Sequence, residues 1–224
     1  FIVLKDITGK VQITIEKEKH PELEDVLAQI TPDSVITVFG TAVASEYVKM
    51  GGMEVFPTQI ILESAADALP IIREGIPATK KKAAVERSAI DSRLDYRWID
   101  LRTERNQLIF KAQTVLTKAL RDFLLERNFL EIHTPKLIGA ASESGSDVFA
   151  VKYFDTTAYL AQSPQFYKQM AMASGFERIF EVGPVFRAEK SFTSKHTTEF
   201  SGFDLEFSFI ESYQDVMALE AELL

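Results

Sequence analysis

Hydrophobic positions recur along this chain with two different periods. Between Glu104 and Asn128, Leu108, Ile109, Ala112, Val115, Leu116, Ala119, Leu120, Phe123 and Leu124 fall at helical intervals. That spacing predicts an amphipathic helix of about six turns, capped by Thr103 at its start and Asn128 at its end. The stretch GFDLEFSFIE (202–211) instead alternates: Phe203, Leu205, Phe207 and Phe209 take one side of a strand, and Asp204, Glu206 and Ser208 the other. IFEV (179–182) and VFRAE (185–189) read as strand pieces interrupted by Gly183-Pro184, and YLAQ (159–162) as another strand. Ser163-Pro164 opens a helix, with Ser as cap and Pro in the first position, and Gly175 closes it. A last helix, capped at its start, begins at Ser212.

Residues 1–63 are β-rich. FIVLKDITGKVQITIEK is two strands around the turn Asp6-Ile7-Thr8-Gly9, HPELEDVLAQI is a short helix, and residues 34–44 and 53–63 are two more strands. Hairpin, helix and two strands suit a small Greek-key barrel without its first strand, and equally an unrelated small β sheet. Residues 64–93 mix Pro, Gly, Ala and charge and read as a linker, in which Lys80-Lys81-Lys82 is a solvated face rather than a binding site. Residues 94–224 form a second, mixed domain. The expected class is therefore α+β. The chain starts without Met inside a strand-like run and stops inside a helical pattern, so it reads as part of a longer polypeptide.

Composition narrows the function classes. At 46% hydrophobic and 26% charged, the chain has an ordinary globular balance. No apolar run approaches the ~20 residues of a membrane span, and no basic-then-apolar leader opens the chain. There is no cysteine for disulfides or thiolate metal sites, and His20, His133 and His196 are too few for a histidine-rich metal centre. A cytoplasmic protein is expected, with no membrane and no DNA partner. The net charge of −8 argues against a broad basic footprint, so any RNA contact must be local.

The chemistry concentrates in FRAEKSFTSKHTTEFSGFDLE (186–206). Arg187 and Glu189 sit two apart, as do Asp204 and Glu206 on the returning strand, so pairing gathers an Arg and three carboxylates on one face. The connecting loop adds Lys190, Lys195 and His196, with Phe200 at its end. A guanidinium on a rigid strand suits phosphate or carboxylate oxygens, and an aromatic at the loop base can stack on a nucleobase. The plain alternative is a surface hairpin laced with salt bridges.

These residues resemble motif 2 of the class II aminoacyl-tRNA synthetases. Phe186-Arg187-Ala188-Glu189, His196, Glu199-Phe200 and Asp204-Leu205-Glu206 follow its aspartate branch (subclass b, archaeal and eukaryotic cytosolic type), departing at Lys195, where Arg is common. LDYRWIDLR (94–102), the long helix and FLEIHTPKL (129–137) resemble the lead-in and motif 1. GAASESGSDVF (139–149) resembles the loop over the amino acid, and YLAQSPQFYKQ (159–169) the aspartate-specific Gln-Ser-Pro-Gln followed by Lys. The first domain resembles the family's anticodon-binding oligonucleotide-fold (OB) barrel. The resemblance covers nearly the whole chain.

What the resemblance implies is specific. The activity is aspartate–tRNA ligation: ATP activates aspartate to aspartyl-adenylate, and the aspartyl group passes to tRNA(Asp). Arg187 holds the α-phosphate and the substrate carboxylate. Glu189 reads the adenine, Phe200 stacks on it, and His196 touches the γ-phosphate. Ser142, Glu143 and Gln162 receive the aspartate ammonium group. Lys168 pairs with the aspartate side chain, and Asp204 orients Lys168. Phe1, Gln12 and Glu54 read the anticodon, although Phe1 taken alone is a core residue by type. The long helix and Pro135 form a homodimer interface, although the helix stripe equally suits core packing. Motif 3 and the Mg²⁺ ligands are expected beyond Leu224, so the 224-residue stretch alone is expected to be inactive. The rivals are a sister ligase for asparagine or lysine, a tRNA-independent amide-forming relative, and a non-catalytic RNA-binding relative.

Overall fold

A computed structural model describes residues 1–74, 85–141, 147–190, 193 and 196–224. It has two compact units, Phe1–Glu104 and Arg105–Leu224. Both mix strands with helices, as expected of an α+β chain.

In the first unit, β1 (Ile2–Lys5) and β2 (Lys10–Ile13) form an antiparallel hairpin. Its turn closes because the Asp6 carboxylate accepts from the Thr8 and Gly9 amides at 2.8 and 3.0 Å and from the Thr8 hydroxyl. A 3₁₀ turn (Pro21–Leu23) leads into α1 (Glu24–Gln29), followed by β3 (Val35–Ala44) and β4 (Met53–Ser64). The strands run in the order β1-β2-β4-β3, an open sheet among the described residues, with β2 and β4 parallel. β3 and β4 approach closely at a bulge, where a Cβ on Gly40 would sit 2.2 Å from the Phe56 carbonyl oxygen. Two short helices, α2 (Ile90–Asp95) and α3 (Arg97–Asp100), close the unit. The fully buried Asp100 carboxylate is paired there with Arg87 and Arg97 at 2.8 and 2.7 Å. Lys80, Lys81 and Lys82 lie outside the described residues.

In the second unit, α4 (Glu104–Glu126) is followed by the short strands β5 (Leu130–Glu131) and β6 (Leu137–Ile138), then β7 (Ala150–Tyr153) and β8 (Thr156–Leu160). α5 (Gln165–Ala173), β9 (Arg178–Phe186), β10 (Glu199–Phe207) and α6 (Tyr213–Leu223) complete it. One sheet runs β10-β9-β5 and another β6-β8-β7.

Asn128 ends α4 as its sequence position implied. Its φ is +62°, the Phe129 amide reaches back to the Leu124 carbonyl at 3.0 Å, and the Asn128 amide reaches Leu125 at 3.1 Å. This is a Schellman closure with Asn in the left-handed position. Asn128→Gly should leave stability within about 0.5 kcal/mol, whereas Asn128→Val should cost about 1–2 kcal/mol. Urea denaturation of the two variants checks the contrast.

The amphipathic stripe of α4 is only partly filled. Leu124 is buried against Phe129 and Phe180, with Phe123, Val182, Phe203, Leu205 and Phe207 around them. Nearer the helix start, Leu108, Ile109, Phe110, Val115 and Leu116 are each more than half exposed.

Three local expectations are corrected. β9 runs unbroken through Gly183-Pro184, which pair with Gly202 and Ser201. Pro184 is tolerated because its missing N–H would lie on the side of the Phe186 amide, which bonds the Ala161 carbonyl rather than β10. The strand then ends at Phe186, so Arg187 and Glu189 lie beyond it. Pro164 occupies the cap position of α5 rather than its first turn, and the Ser163 hydroxyl accepts only a long 3.4 Å bond from the Gln165 amide. Phe209, past the end of β10, takes φ +59° and is almost fully exposed instead of joining the apolar face.

Candidate functional site

The β9–β10 pair has two unlike faces because side chains alternate along both strands. One face carries Phe180, Val182, Phe203, Leu205 and Phe207 into the core. In the same register, the other face pairs Gly183 with Gly202, Glu181 with Asp204, and Ile179 with Glu206. The two glycines put no side chain on the middle of this polar face. A Cβ on Gly202 would come within 2.9 Å of the Asp204 carboxylate.

α5 delivers Lys168 to this face. The side chain is 7% exposed, and its ammonium group donates to Asp204 Oδ1 at 3.2 Å and to the Leu205 carbonyl at 3.4 Å. Glu206 Oε2 stands 3.4 Å away. These distances exceed the 2.7–2.9 Å of tight charge-assisted bonds. The ammonium group is therefore held between three acceptors without a tight bond to any one of them.

At the other end of the pair, the Arg187 amide bonds the Thr198 carbonyl, prolonging the ladder by one step. The Arg187 guanidinium lies 5.5 Å from the centre of the Phe200 ring. Glu189 is part-buried past the strand end, where the neighbouring Ala188 amide bonds the Asp147 carbonyl. In the connecting loop, His196 Nδ1 shares a 2.6 Å hydrogen bond with the Thr193 hydroxyl. Gln162 is buried, one residue after Ala161, whose amide bonds Lys136 and whose carbonyl accepts from Phe186. The structure thus brings Lys168 of α5 to Asp204, and Arg187 to Phe200, at the two ends of one hairpin. Ser142, Glu143 and Lys195 lie outside the described residues, while Pro135 is exposed between β5 and β6.

Two acidic residues on this face had no role assigned from sequence. Glu206 is the second carboxylate near Lys168. Glu181, 3% exposed, accepts from the Thr134 amide at 2.9 Å, the Thr134 hydroxyl at 2.7 Å and the Lys136 ammonium group at 2.9 Å. Burial alone would push its carboxyl up, but the Thr134 and Lys136 hydrogen bonds outweigh burial and hold it below the usual glutamate range. A depressed folded value stabilises the native state above the unfolded value, about 4.3, and that stability is lost as pH falls through the folded value. Glu181→Gln should therefore flatten the acid limb of the stability–pH curve, measured by urea midpoints between neutral pH and the acid transition. An unchanged limb would count against this role for Glu181.

The residues predicted for the first unit also meet. Gln12 pairs in register with Glu54, and the Gln12 amide and the Glu54 carboxylate share the Thr14 hydroxyl at 3.0 and 2.6 Å. The register of β1 on β2 sets Val3 opposite Gln12 and, one step beyond the strand, Phe1 opposite Thr14. Phe1 is 90% exposed.

Comparisons with known proteins identify a family. Residues 89–224 match the family model described as tRNA synthetases class II (D, K and N). The chain is 49% identical over 226 aligned positions to the aspartate–tRNA(Asp/Asn) ligase of Methanopyrus kandleri, covering 100% of this chain and 50% of that one. It is 43% identical over 218 positions to the aspartate–tRNA(Asp) ligase of Picrophilus torridus, covering 97% and 49%. Among solved structures it is similar to a putative aspartyl-tRNA synthetase from Leishmania major Friedlin, with TM-score 0.86 and 36% identity, covering 100% of this chain and 44% of that one. The asparaginyl-tRNA synthetase of Pyrococcus horikoshii complexed with asparaginyl-adenylate also gives TM-score 0.86, at 33% identity, covering 100% and 49%. The chain spans about half the length of the curated relatives it matches. With the family model covering more than half of its residues, the chain belongs to the class II tRNA synthetases (D, K and N).

Proposed function

We propose that this chain is the anticodon-reading and amino-acid-activating portion of an aspartate–tRNA ligase. The observation that carries the reading is the buried Lys168, loosely held by Asp204 and Glu206 beside a face floored by two glycines. A buried ammonium group rewards a substrate carboxylate, and it loses an ion pair when the neutral asparagine side chain binds. A lysine side chain would be repelled there.

In the proposed reaction, the aspartate α-carboxylate attacks the α-phosphorus of ATP and pyrophosphate leaves. The terminal ribose hydroxyl of tRNA(Asp) then attacks the acyl carbon of the adenylate and AMP leaves. Such chemistry needs alignment and charge neutralisation more than a protein nucleophile. Arg187 offsets charge on the α-phosphate, Phe200 and Glu189 take the adenine, and His196 takes the γ-phosphate. Gln162, with Ser142 and Glu143, receives the substrate ammonium group. The family implies Mg²⁺ with ATP. No group of three or more metal-binding side chains occurs among the described residues, so no step here is assigned to the ion.

Phe1, Gln12 and Glu54 read the anticodon, since an exposed aromatic beside polar side chains is the chemistry that recognises unstacked bases. The exposed apolar stripe of α4 and the exposed Pro135 support a homodimer interface. No described helix is long and apolar enough to cross a membrane, and the lack of cysteine fits a reducing cytoplasm.

Aspartate-dependent ATP–pyrophosphate exchange by the full-length polypeptide tests the reading, with asparagine and lysine as controls. Exchange with aspartate alone is expected. No exchange with any amino acid, from a folded protein that still binds tRNA, would transfer the chain to the non-catalytic relatives.

A further inference from the structure

Resting on the reading of this sheet face as an RNA site, we propose that Thr14 is a positioning residue that fixes which base edges the site accepts. The argument is a count of protons. Thr14 Oγ1 stands 2.6 Å from Glu54 Oε2 and 3.0 Å from the Gln12 side-chain nitrogen. An ionised carboxylate only accepts hydrogen bonds, and a hydroxyl has one proton to give. That proton goes to Glu54. The Thr14 oxygen is then left as an acceptor, and only the NH₂ end of the Gln12 amide can satisfy it.

The consequence is an orientation. Gln12 cannot turn its carbonyl toward Thr14 without setting two acceptors against each other. Its carbonyl oxygen therefore faces away from Thr14 on the face shared with the exposed Phe1 and Val3. Glu54 adds a second acceptor in register beside it. A face dominated by acceptors selects base edges that present N–H donors to it. Uracil offers N3–H, and guanine offers N1–H and its amino group. At N3 and N1 respectively, cytosine and adenine present a lone pair, and they donate only through their exocyclic amino groups. With the ring nitrogen of the base toward the Gln12 carbonyl, the site is thus set for uracil and guanine, and the setting is imposed by a residue that need not touch the RNA.

The effect should appear in base preference rather than in overall affinity. The probes are hairpin RNAs differing only in the central loop base, uridine or cytidine, bound to the full-length protein as wild type, Thr14→Val and Thr14→Ser. Wild type should prefer uridine by about tenfold, the size of one well-made hydrogen bond with its mismatch penalty. Thr14→Val keeps the side-chain shape and removes the hydroxyl, so Gln12 can flip, and the preference should fall to about threefold or less. Thr14→Ser restores the hydroxyl and should restore the preference. An undiminished preference in a folded Thr14→Val protein overturns the proposal while leaving the RNA reading intact. Wild-type protein that binds neither hairpin overturns the RNA reading itself.

Discussion

Lys168→Met should reduce aspartate-dependent pyrophosphate exchange by about 10²- to 10³-fold, the scale of removing one partner from a desolvated charge pair. Methionine keeps most of the volume of Lys168, so the loss should reflect charge. Two controls separate this from unfolding. Exchange with asparagine, if any exists, should not fall in parallel, because asparagine brings no side-chain carboxylate. RNA binding should persist, because Phe1, Gln12 and Glu54 belong to the first compact unit and Lys168 to the second. Wild-type exchange rates in the methionine variant would overturn the proposed role of Lys168 in aspartate recognition. The carboxylates of Asp204 and Glu206 are each nearly a third exposed. Water can therefore screen them once Lys168 is gone, and the stability loss should be much smaller than the activity loss.

Phe180→Ala is expected to give the largest loss of stability. Phe180 is fully buried, packs with Leu124 and Phe129, and stacks on Phe203 with ring centres 6.0 Å apart. Truncating such a residue removes buried apolar area and leaves a cavity, for about 3–5 kcal/mol. For a unit of this size that corresponds to a drop in melting temperature of roughly 10–20 °C. Phe209→Ala is the matched control: Phe209 is 88% exposed, and its removal should stay within about 0.5 kcal/mol. Equal losses from the two substitutions would contradict the placement of Phe209 outside the sheet.

The same pair of phenylalanines marks how far the sequence could be read. The alternation across 202–208 gave both faces of β10 correctly, because a strand's period is a local property. It overran by including Phe209, since nothing in an alternating pattern marks the residue where the backbone turns left-handed. Asn128 was legible as a stop because its side chain suits that conformation. The Gly183-Pro184 break was misread because tolerance of proline depends on which side of the strand is hydrogen-bonded, and that is set by the neighbouring strand. Glu181 passed unnoticed inside an apolar run. Its partners, Thr134 and Lys136, are 47 and 45 positions away. Thr14 was invisible for the same reason: the residue it joins to Gln12 lies 40 positions further along the chain. Periodicity predicts faces, but it does not predict which distant side chain a face will meet.

The two-faced β9–β10 hairpin also sets rules for changes in chain length. Inserting or deleting one residue inside either strand would exchange its faces beyond that point; early in β10 it would turn Asp204 and Glu206 inward and Phe203 and Leu205 outward. Two residues would restore the facing but slide the glycines out of opposition. Past the Arg187–Thr198 step, none of the described residues of the connection pairs with β9 or β10, so no such parity binds them. Length variation among descendants of this sequence should therefore be purged from the strands, and a library for new substrates is best built with the strands and the Arg187, Glu189 and His196 positions of the connection fixed.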